Sequence, residues 1–494
     1  MYSINTRAIV LAAGKSSRFK TNKSKLLYSI CGQPMILYAL KLLKNLGIPT
    51  TVVVGYQAEE LKELIQKAGI DNVNYVYQES QLGTGNAISI TKNSWDQENI
   101  LIMNGDCPLL TEEIITQMLD GHNNSNASIT FLSSHSLNPD GYGRVIRDGK
   151  HISIVEDRNL TEEQRFVTLI NSGIYLFRKD FLEENIDKIE IDSVKKEYYL
   201  TDLVKMASDQ DLKVKTIPVP YDNIRGVNTL EELWAVEQIQ RSNFIKYWMT
   251  QGVRFELAQN IHMDFDVEIG AGSFIGTGVH LFKGTKVGKN CTINAFCIIE
   301  DSIIGDDSYI HSHSVVQASK IGCNTHVGPY ARLRKDVILG DNVNIGNFVE
   351  IKNSTIGDNS SAKHLTYLGD SIIGKNVNIG AGTITCNYDG VNKHKTEIKD
   401  NVFIGSNNTL VAPVVINENA YTAAGSTITK EVPKDSLAIA RTRQENKIDY
   451  AKKLKAKSKK ETDNKDDLSS SKNKEKNAKL NFVGATKTKN MQNL

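Results

Sequence analysis

Three short stretches of the chain carry residue types that phosphate and acyl chemistry need. The first, Leu11-Ala12-Ala13-Gly14-Lys15-Ser16-Ser17-Arg18, follows an apolar run at residues 7–12 and precedes a helix-like segment. A flexible Gly there lets backbone N–H groups approach a phosphate, a helix N-terminus favours negative charge, and Arg18 adds a forked donor. Lys25 follows within reach of a second phosphate. Neither GxxxxGK[ST] nor GxGxxG is present, so this is no Walker loop and no dinucleotide fingerprint. The second stretch, Asn104-Gly105-Asp106-Cys107-Pro108-Leu109, sets a carboxylate at the end of the apolar run 100–103. Open α/β sheets bind ligands at that edge, and a hard cation such as Mg²⁺ would use Asp106 and bridge phosphate oxygens. The competing role for Asp106 is the cap of a helix starting near Thr111. In the third, Ala362-Lys363-His364-Leu365-Thr366-Tyr367, the imidazole can take a proton near neutral pH. An ammonium nucleophile must lose one before it attacks a thioester.

The elements that must position these residues are of two kinds. Residues 6–228 alternate strand-like and helix-like segments: apolar runs at 7–12, 51–54 and 100–103, with helical spacing of Leu and Ile at 34–46 and 58–68. Such alternation implies βαβ units and a doubly wound α/β sheet. Residues 229–250 read as one joining helix, with Leu230, Leu233, Val236 and Ile239 on one face. From Val267 to Thr427 an aliphatic–Gly pair recurs on a six-residue step, as in Ile269-Gly270, Ile275-Gly276, Val287-Gly288, Ile304-Gly305 and Ile404-Gly405. A period of six cannot be an α-helix. It predicts a left-handed parallel β-helix of hexapeptide repeats, each aliphatic inward and each Gly at a tight corner, interrupted by the 362–367 segment. Residues 452–494 hold thirteen Lys and five acids with few apolar residues, a composition that predicts disorder.

Bulk properties narrow the class. At 494 residues and 23% charged, with net charge +2, the chain reads as a two- or three-domain soluble protein without a nucleic-acid field over its folded part. No window of 18 apolar residues occurs, so no membrane span is expected, and the start lacks the pattern of a signal peptide. Six thinly spread cysteines without a CxxC pair suit a reduced cytoplasm.

The stretches LAAGKSSRFK, QLGTGNA after Gln78, NGDCPLL, GYGRVIR, IVED, INSGIYLF and GVNTLEEL occur in the order found in sugar-nucleotide pyrophosphorylases. GPYARLRK, NFVEIKN, AKHLTYLGD, NIGAGTITCNYDG and VFIGSNNTLVAPV narrow the resemblance. Over about residues 6–445 the chain resembles the bifunctional UDP-N-acetylglucosamine pyrophosphorylase/glucosamine-1-phosphate acetyltransferases of bacterial wall synthesis. The resemblance implies a Rossmann-like nucleotidyltransferase domain at 1–228, a linker helix at 229–251, an acetyltransferase β-helix at 252–445 and a lysine-rich tail at 446–494. By that resemblance Leu11, Ala12, Gly14, Gln78, Gly83 and Thr84 hold uridine, while Arg18 and Lys25 contact the triphosphate. Gly143, Glu156 and Asn171 hold the sugar, with Asp106 and Asn228 on Mg²⁺. The family usually has an aromatic residue where Asn104 stands and often His where Asn86 stands.

At the other site the resemblance makes His364 the base that deprotonates the glucosamine 1-phosphate amine. Arg334, Lys352, Tyr367, Asn378, Asn387 and Lys393 bind that substrate, and Asn387, Tyr388, Ser406, Ala424 and Arg441 lie along acetyl-coenzyme A. Arg332, Arg334, Lys335 and Lys352 form a basic pocket for the sugar phosphate on stacked coils, with Glu350 available to orient His364. Asn387 and Tyr388 are both candidates for stabilising the tetrahedral oxyanion. A homotrimer is the family's habit. Two other readings compete: a nucleotidyltransferase whose β-helix only assembles and regulates, and a non-catalytic assembly protein. The 364–367 segment and the Asn387–Tyr388 loop speak against the first, and the presence of Lys25, Asp106 and Asn228 against the second.

Overall fold

The computed structural model describes residues 5–192, 196–462 and 465. The chain divides into two compact units, Met1–Ile439 and Ala440–Leu494. The first unit opens with a nine-stranded sheet. Its strands are β1 (Thr6–Ala12), β2 (Thr50–Val54), β3 (Val73–Tyr77), β4 (Asn99–Asn104), β5 (Ile129–His135), β6 (Arg144–Asp148), β7 (His151–Val155), β8 (Leu169–Arg178) and β9 (Val214–Pro218). The sheet order is β9-β5-β8-β4-β1-β2-β3, with the β6–β7 hairpin attached to β8. β1 pairs in parallel with β2 on one side and β4 on the other, while β8 runs antiparallel to β4 and β5. Successive strands are added on one side of β1 as far as β3 and on its other side from β4, so the strand order switches between the parallel neighbours β1 and β4. A crevice opens at such a switch point beyond the strand ends, where the 11–18 loop and Asp106 emerge. β1 alternates between two cores: Ala8, Val10 and Ala12 pack on one face, Ile9 on the other. Helices α1 (Met35–Asn45), α2 (Ala58–Lys67), α3 (Thr84–Ser89) and α4 (Glu112–Ser125) lie between these strands.

A 21-residue helix, Leu230–Thr250, leads out of this part. Its start is a capping box: the Thr229 side chain accepts from the Glu232 N–H, and the Glu232 carboxylate accepts from the Thr229 N–H. Val236 enters the core beside the sheet, and Ile245 enters the core of the coils that follow. Leu230, expected on the apolar face, is half exposed, because it occupies the first turn beside the cap.

Beyond it the chain winds a parallel β-helix. Glu268 pairs with Lys286, Lys286 with Ile303, Ile303 with Lys320, and Ile338 with Thr355, all in parallel. Side-chain contacts between successive coils span 17 or 18 residues, until one coil lengthens the step to 25. The aliphatic of each repeat is buried, as at Ile275, Ile293, Ile310 and Ile345. The Gly that follows has a different role from the one its position suggests. Gly270, Gly288 and Gly305 do not adopt positive φ; the left-handed residue falls two positions later, at Gly272, Asn290 and Asp307. Gly is required because the coils stack so closely. A Cβ on Gly270 would lie 2.5 Å from the backbone of Gly288, and one on Gly305 2.6 Å from that of Gly322. The left-handed corners are then free to carry Asn and Asp, which tolerate that conformation. Their amides tie coil to coil, as where Asn359 donates to Asn376 (3.2 Å) and Asn376 to Asn401 (3.0 Å).

The 362–367 segment does not interrupt the coil. Ala362 takes the inward place between Ile345 and Ile379, and Leu368 the next. Only the aliphatic–Gly spelling lapses. The geometric break comes later, at residues 387–395, which form the excursion that lengthens one coil. In the second unit, residues 450–462 are helical and exposed, in contrast to the disorder expected of that composition. Ala, Lys and Leu are strong helix formers, so local propensity suffices there. Residues 466–494 of the tail lie outside the described part. The six cysteines are unpaired, and among the described residues no helix is long and apolar enough to cross a membrane.

Candidate active sites

The first site is built at the C-terminal ends of β1 and β4. After β1 the chain turns through Ser16 in the left-handed conformation, and buried Phe19 anchors the short turn that carries Arg18. The Ser16 hydroxyl accepts from the Lys25 N–H (3.0 Å), which closes the loop. Lys25 Nζ donates to the Asp106 carboxylate and to Asn228 Oδ1 (2.9 Å), and Arg18 donates to the same amide oxygen (2.8 Å). Four residues from three separate parts of the chain thus meet at one point. Asp106 does not cap α4: Thr111 does, its hydroxyl accepting from the Ile114 N–H. The Asp106 carboxylate faces Lys25 rather than the start of α4. The Lys25–Asp106 pair is mostly buried, with side chains 16% and 15% exposed. Gly226 stands beside it, where a Cβ would come within 3.7 Å of both Asp106 Oδ1 and the Asn228 amide.

Leu11 and Ala12 end β1 beside Asn104 and Val54, and exposed Gly14 follows on the rim of the loop. Gln81, unnoticed in the sequence, donates to the Ala13 carbonyl (2.6 Å) and ties that rim to the 78–86 loop. Buried Gln78 donates from Nε2 to Asn86 Oδ1 (2.9 Å). Gly83 needs its φ of +98° and its lack of a Cβ, which would meet Tyr198 backbone at 2.6 Å. Thr84 Oγ1 accepts from the Leu200 N–H (3.1 Å), so that hydroxyl packs the loop onto the 198–200 segment.

Of the sugar-side candidates, Gly143 directly precedes β6, Glu156 directly follows β7 and Asn171 lies on β8. The Asn171 N–H donates to the Gly143 carbonyl (2.9 Å), and Asn171 Nδ2 to the Tyr175 hydroxyl (2.6 Å). Asn104 lies over Gly173, where its amide nitrogen is 2.6 Å from the place a Cβ would fill. Half-buried Glu156 accepts from the Thr201 hydroxyl (3.0 Å). Burial pushes the Glu156 carboxyl above its ordinary range, and nearby Asp202 and Glu197 push the same way.

The second site lies on the β-helix. Asn347 and His364 are register partners on adjacent coils, and His364 Nδ1 sits 2.9 Å from Asn347 Oδ1. Glu350, expected to orient His364, instead accepts from Arg334 Nε (2.7 Å). The reason is register: Glu350 stacks on Tyr367, three positions past the imidazole. Arg334 and Lys352 are register partners, and Lys393 comes against Lys352 from the 387–395 excursion. Contact with the second ammonium holds Lys352 below its ordinary range. A bridge between Tyr388 and Lys393 closes the excursion, and Asp389 accepts from the Val391 and Asn392 N–H groups and pairs with His394. Asn387 is buried and donates to Asp370, which also accepts from Asn353 (2.5 Å). Burial raises the Asp370 carboxyl, but these two amides and the lysines outweigh it and hold it low. Gly369 packs so tightly that a Cβ would fall 2.8 Å from the Asn387 amide. Asn378 joins through Ser361 (3.2 Å) on the strand that ends at His364. Ser406 and Ala424 sit exposed on later coils, and Arg441 belongs to the second unit. Asn347 and Asp370 were missed from sequence, although each stands 17 residues, one coil, before its partner.

Comparison with known proteins agrees with both halves. Residues 8–146 match a MobA-like NTP transferase domain, and residues 257–345 and 324–424 match a GMPPB C-terminal domain. The chain is 45% identical over 445 residues to the Bifunctional protein GlmU of Thermosipho melanesiensis, covering 90% of this chain and 97% of that one. Its identity is 41% over 451 residues with the Clostridium kluyveri protein of that name, covering 90% and 98%. It is 42% over 447 residues with that of Pseudothermotoga lettingae, again covering 90% and 98%. With such identity along nearly the full length of each relative, the chain belongs to the GlmU family of bifunctional proteins.

Proposed function

We propose that the chain catalyses two successive reactions. At the β-helix, an acetyl group passes from acetyl-coenzyme A to the amine of glucosamine 1-phosphate. At the sheet, the resulting N-acetylglucosamine 1-phosphate attacks the α-phosphorus of UTP and expels pyrophosphate. The observation that carries this reading is the coexistence of two sites in one chain: Arg18, Lys25, Asp106 and Asn228 at the strand ends, and on the coils the Asn347–His364 pair together with the Arg334, Lys352 and Lys393 cluster.

Uridylyl transfer needs positioning and neutralisation of spreading negative charge more than acid–base help. Arg18 and Lys25 bind the triphosphate, Leu11, Ala12, Gly14, Gln78, Gly83 and Thr84 surround the nucleoside, and Gly143, Glu156 and Asn171 hold the sugar. Asp106 and Asn228 turn a carboxylate and an amide oxygen toward one point, where the Lys25 ammonium already shows that a cation is accepted. That hard-oxygen pair fits Mg²⁺, which when bound would neutralise phosphate charge.

In acetyl transfer, Asn347 Oδ1 accepts from His364 Nδ1–H, so Nε2 keeps its lone pair for the substrate amine. Arg334, Lys352 and Lys393 bind the phosphate; Tyr367, Asn378 and Asn387 line the sugar; Tyr388, Ser406 and Ala424 follow the coenzyme. The working enzyme is a cytoplasmic homotrimer assembled through the β-helix. The test is mass analysis of products from glucosamine 1-phosphate, UTP and Mg²⁺, with and without acetyl-coenzyme A. UDP-N-acetylglucosamine should appear only with the coenzyme. UDP-glucosamine with the coenzyme untouched would make the β-helix a scaffold and overturn the two-site reading.

A further inference from the structure

Gln78 follows β3, and its backbone N–H donates to the Val54 carbonyl at the end of β2 (2.8 Å). A glutamine amide can be flipped at little steric cost, so in a nucleobase pocket the face it presents decides which base edge it matches. Here two acceptors on one side set the flip. Gln78 Nε2 donates to Asn86 Oδ1 at 2.9 Å and, more weakly, to the Gly83 carbonyl at 3.4 Å, a backbone acceptor that cannot turn over. Asn86 sits on α3, whose first turn is anchored through the Gly85 N–H to Tyr198 (2.8 Å). With the amide nitrogen turned toward Asn86, the Gln78 carbonyl oxygen is the atom left for the base.

We propose that Asn86 is a positioning residue that makes the pyrophosphorylase site selective for uracil over cytosine by fixing the Gln78 amide as an acceptor. The proposal rests on the nucleotide reading given above. Uracil offers a donor at N3–H between two carbonyl acceptors, whereas cytosine offers an acceptor at N3. A fixed carbonyl accepts from the first and repels the second. Without Asn86 Oδ1, only the 3.4 Å contact to the Gly83 carbonyl would hold the amide, and the flipped form, presenting NH₂, would suit cytosine.

The experiment compares kcat/KM for UTP and CTP, with N-acetylglucosamine 1-phosphate and Mg²⁺, in the unaltered protein, Asn86→Leu and Asn86→Asp. The unaltered protein should prefer UTP. Asn86→Leu should lower the UTP:CTP ratio about tenfold or more, the scale of one mismatched buried hydrogen bond. Asn86→Asp keeps an acceptor at the same place and should retain the preference. Acetyl transfer, measured in each sample, should not change. An unchanged ratio in Asn86→Leu, or an equal fall in both variants, would overturn the assignment of Asn86 while leaving the uridylyl reaction standing. No preference for UTP in the unaltered protein would instead remove the nucleotide reading and the inference together.

Discussion

Replacing Asp106 separates the charge of its carboxylate from its packing. The Asp106 and Lys25 side chains are only 15% and 16% exposed, and Lys25 Nζ shares its donors between Asp106 and Asn228. Asp106→Ala leaves that ammonium largely desolvated with one neutral partner, a change that costs about 3 kcal/mol, the lower end for breaking a buried pair. In a domain of this size that lowers its melting temperature by about 6–12 °C. Asp106→Asn keeps the shape and one acceptor oxygen, so its cost is about 1 kcal/mol. Both variants lose the negative charge, and pyrophosphate release should fall in both by about a hundredfold or more, the scale of a lost preorganised electrostatic contact. Pyrophosphate and coenzyme A thiol are followed in the same samples, well below either melting transition. The expected result is a split in stability between the two variants, a shared loss of pyrophosphate release, and unchanged thiol release. Retention of more than about a tenth of the pyrophosphate activity by Asp106→Asn would refute the argument that charge is what the position supplies. Equal loss of thiol release would refute the independence of the sites.

At the other site, His364→Ala should reduce thiol release by about 10²–10⁴-fold while sparing pyrophosphate release from N-acetylglucosamine 1-phosphate. Asn347→Ala should lower kcat for acetyl transfer about tenfold with KM for the sugar phosphate nearly constant, since it frees the imidazole tautomer without touching the phosphate cluster; an unaltered kcat would discard Asn347 as the orienting group. Glu156 gives a pH signature. Burial raises its folded-state pKa, so its contribution to stability is fully present below the unfolded value of about 4.3 and is lost as pH rises through the folded value. Glu156→Gln lacks that loss, so thermal melts should find the variant gaining on the parent from about pH 4 to neutrality; a difference independent of pH would contradict the desolvation argument.

The amino-acid sequence by itself determined what depends on local pattern. A six-residue period places aliphatics inward whatever the neighbours do, and the Gly- and Ser-containing loop at residues 11–18 is written in consecutive residues after an apolar strand. The candidacy of His364 rests on its segment together with Arg332, Arg334, Lys335 and Lys352 nearby in sequence. Partnerships depend on distances that the pattern does not carry. Glu350 looked near His364 in sequence, yet coil length, set by where the left-handed corners fall, brings Asn347 against the ring and sends Glu350 to Arg334. The repeat also hid why its glycines are needed: no φ demands them, and only the stacking of one coil's backbone on the next excludes a Cβ. Lysine 393 reaches Lys352 because a single coil bulges at 387–395, an excursion that no periodicity predicts. In the sheet, Asn228 meets Lys25 and Arg18 across about two hundred residues of chain. That meeting follows from the strand order around β1 and β4, which long-range packing decides.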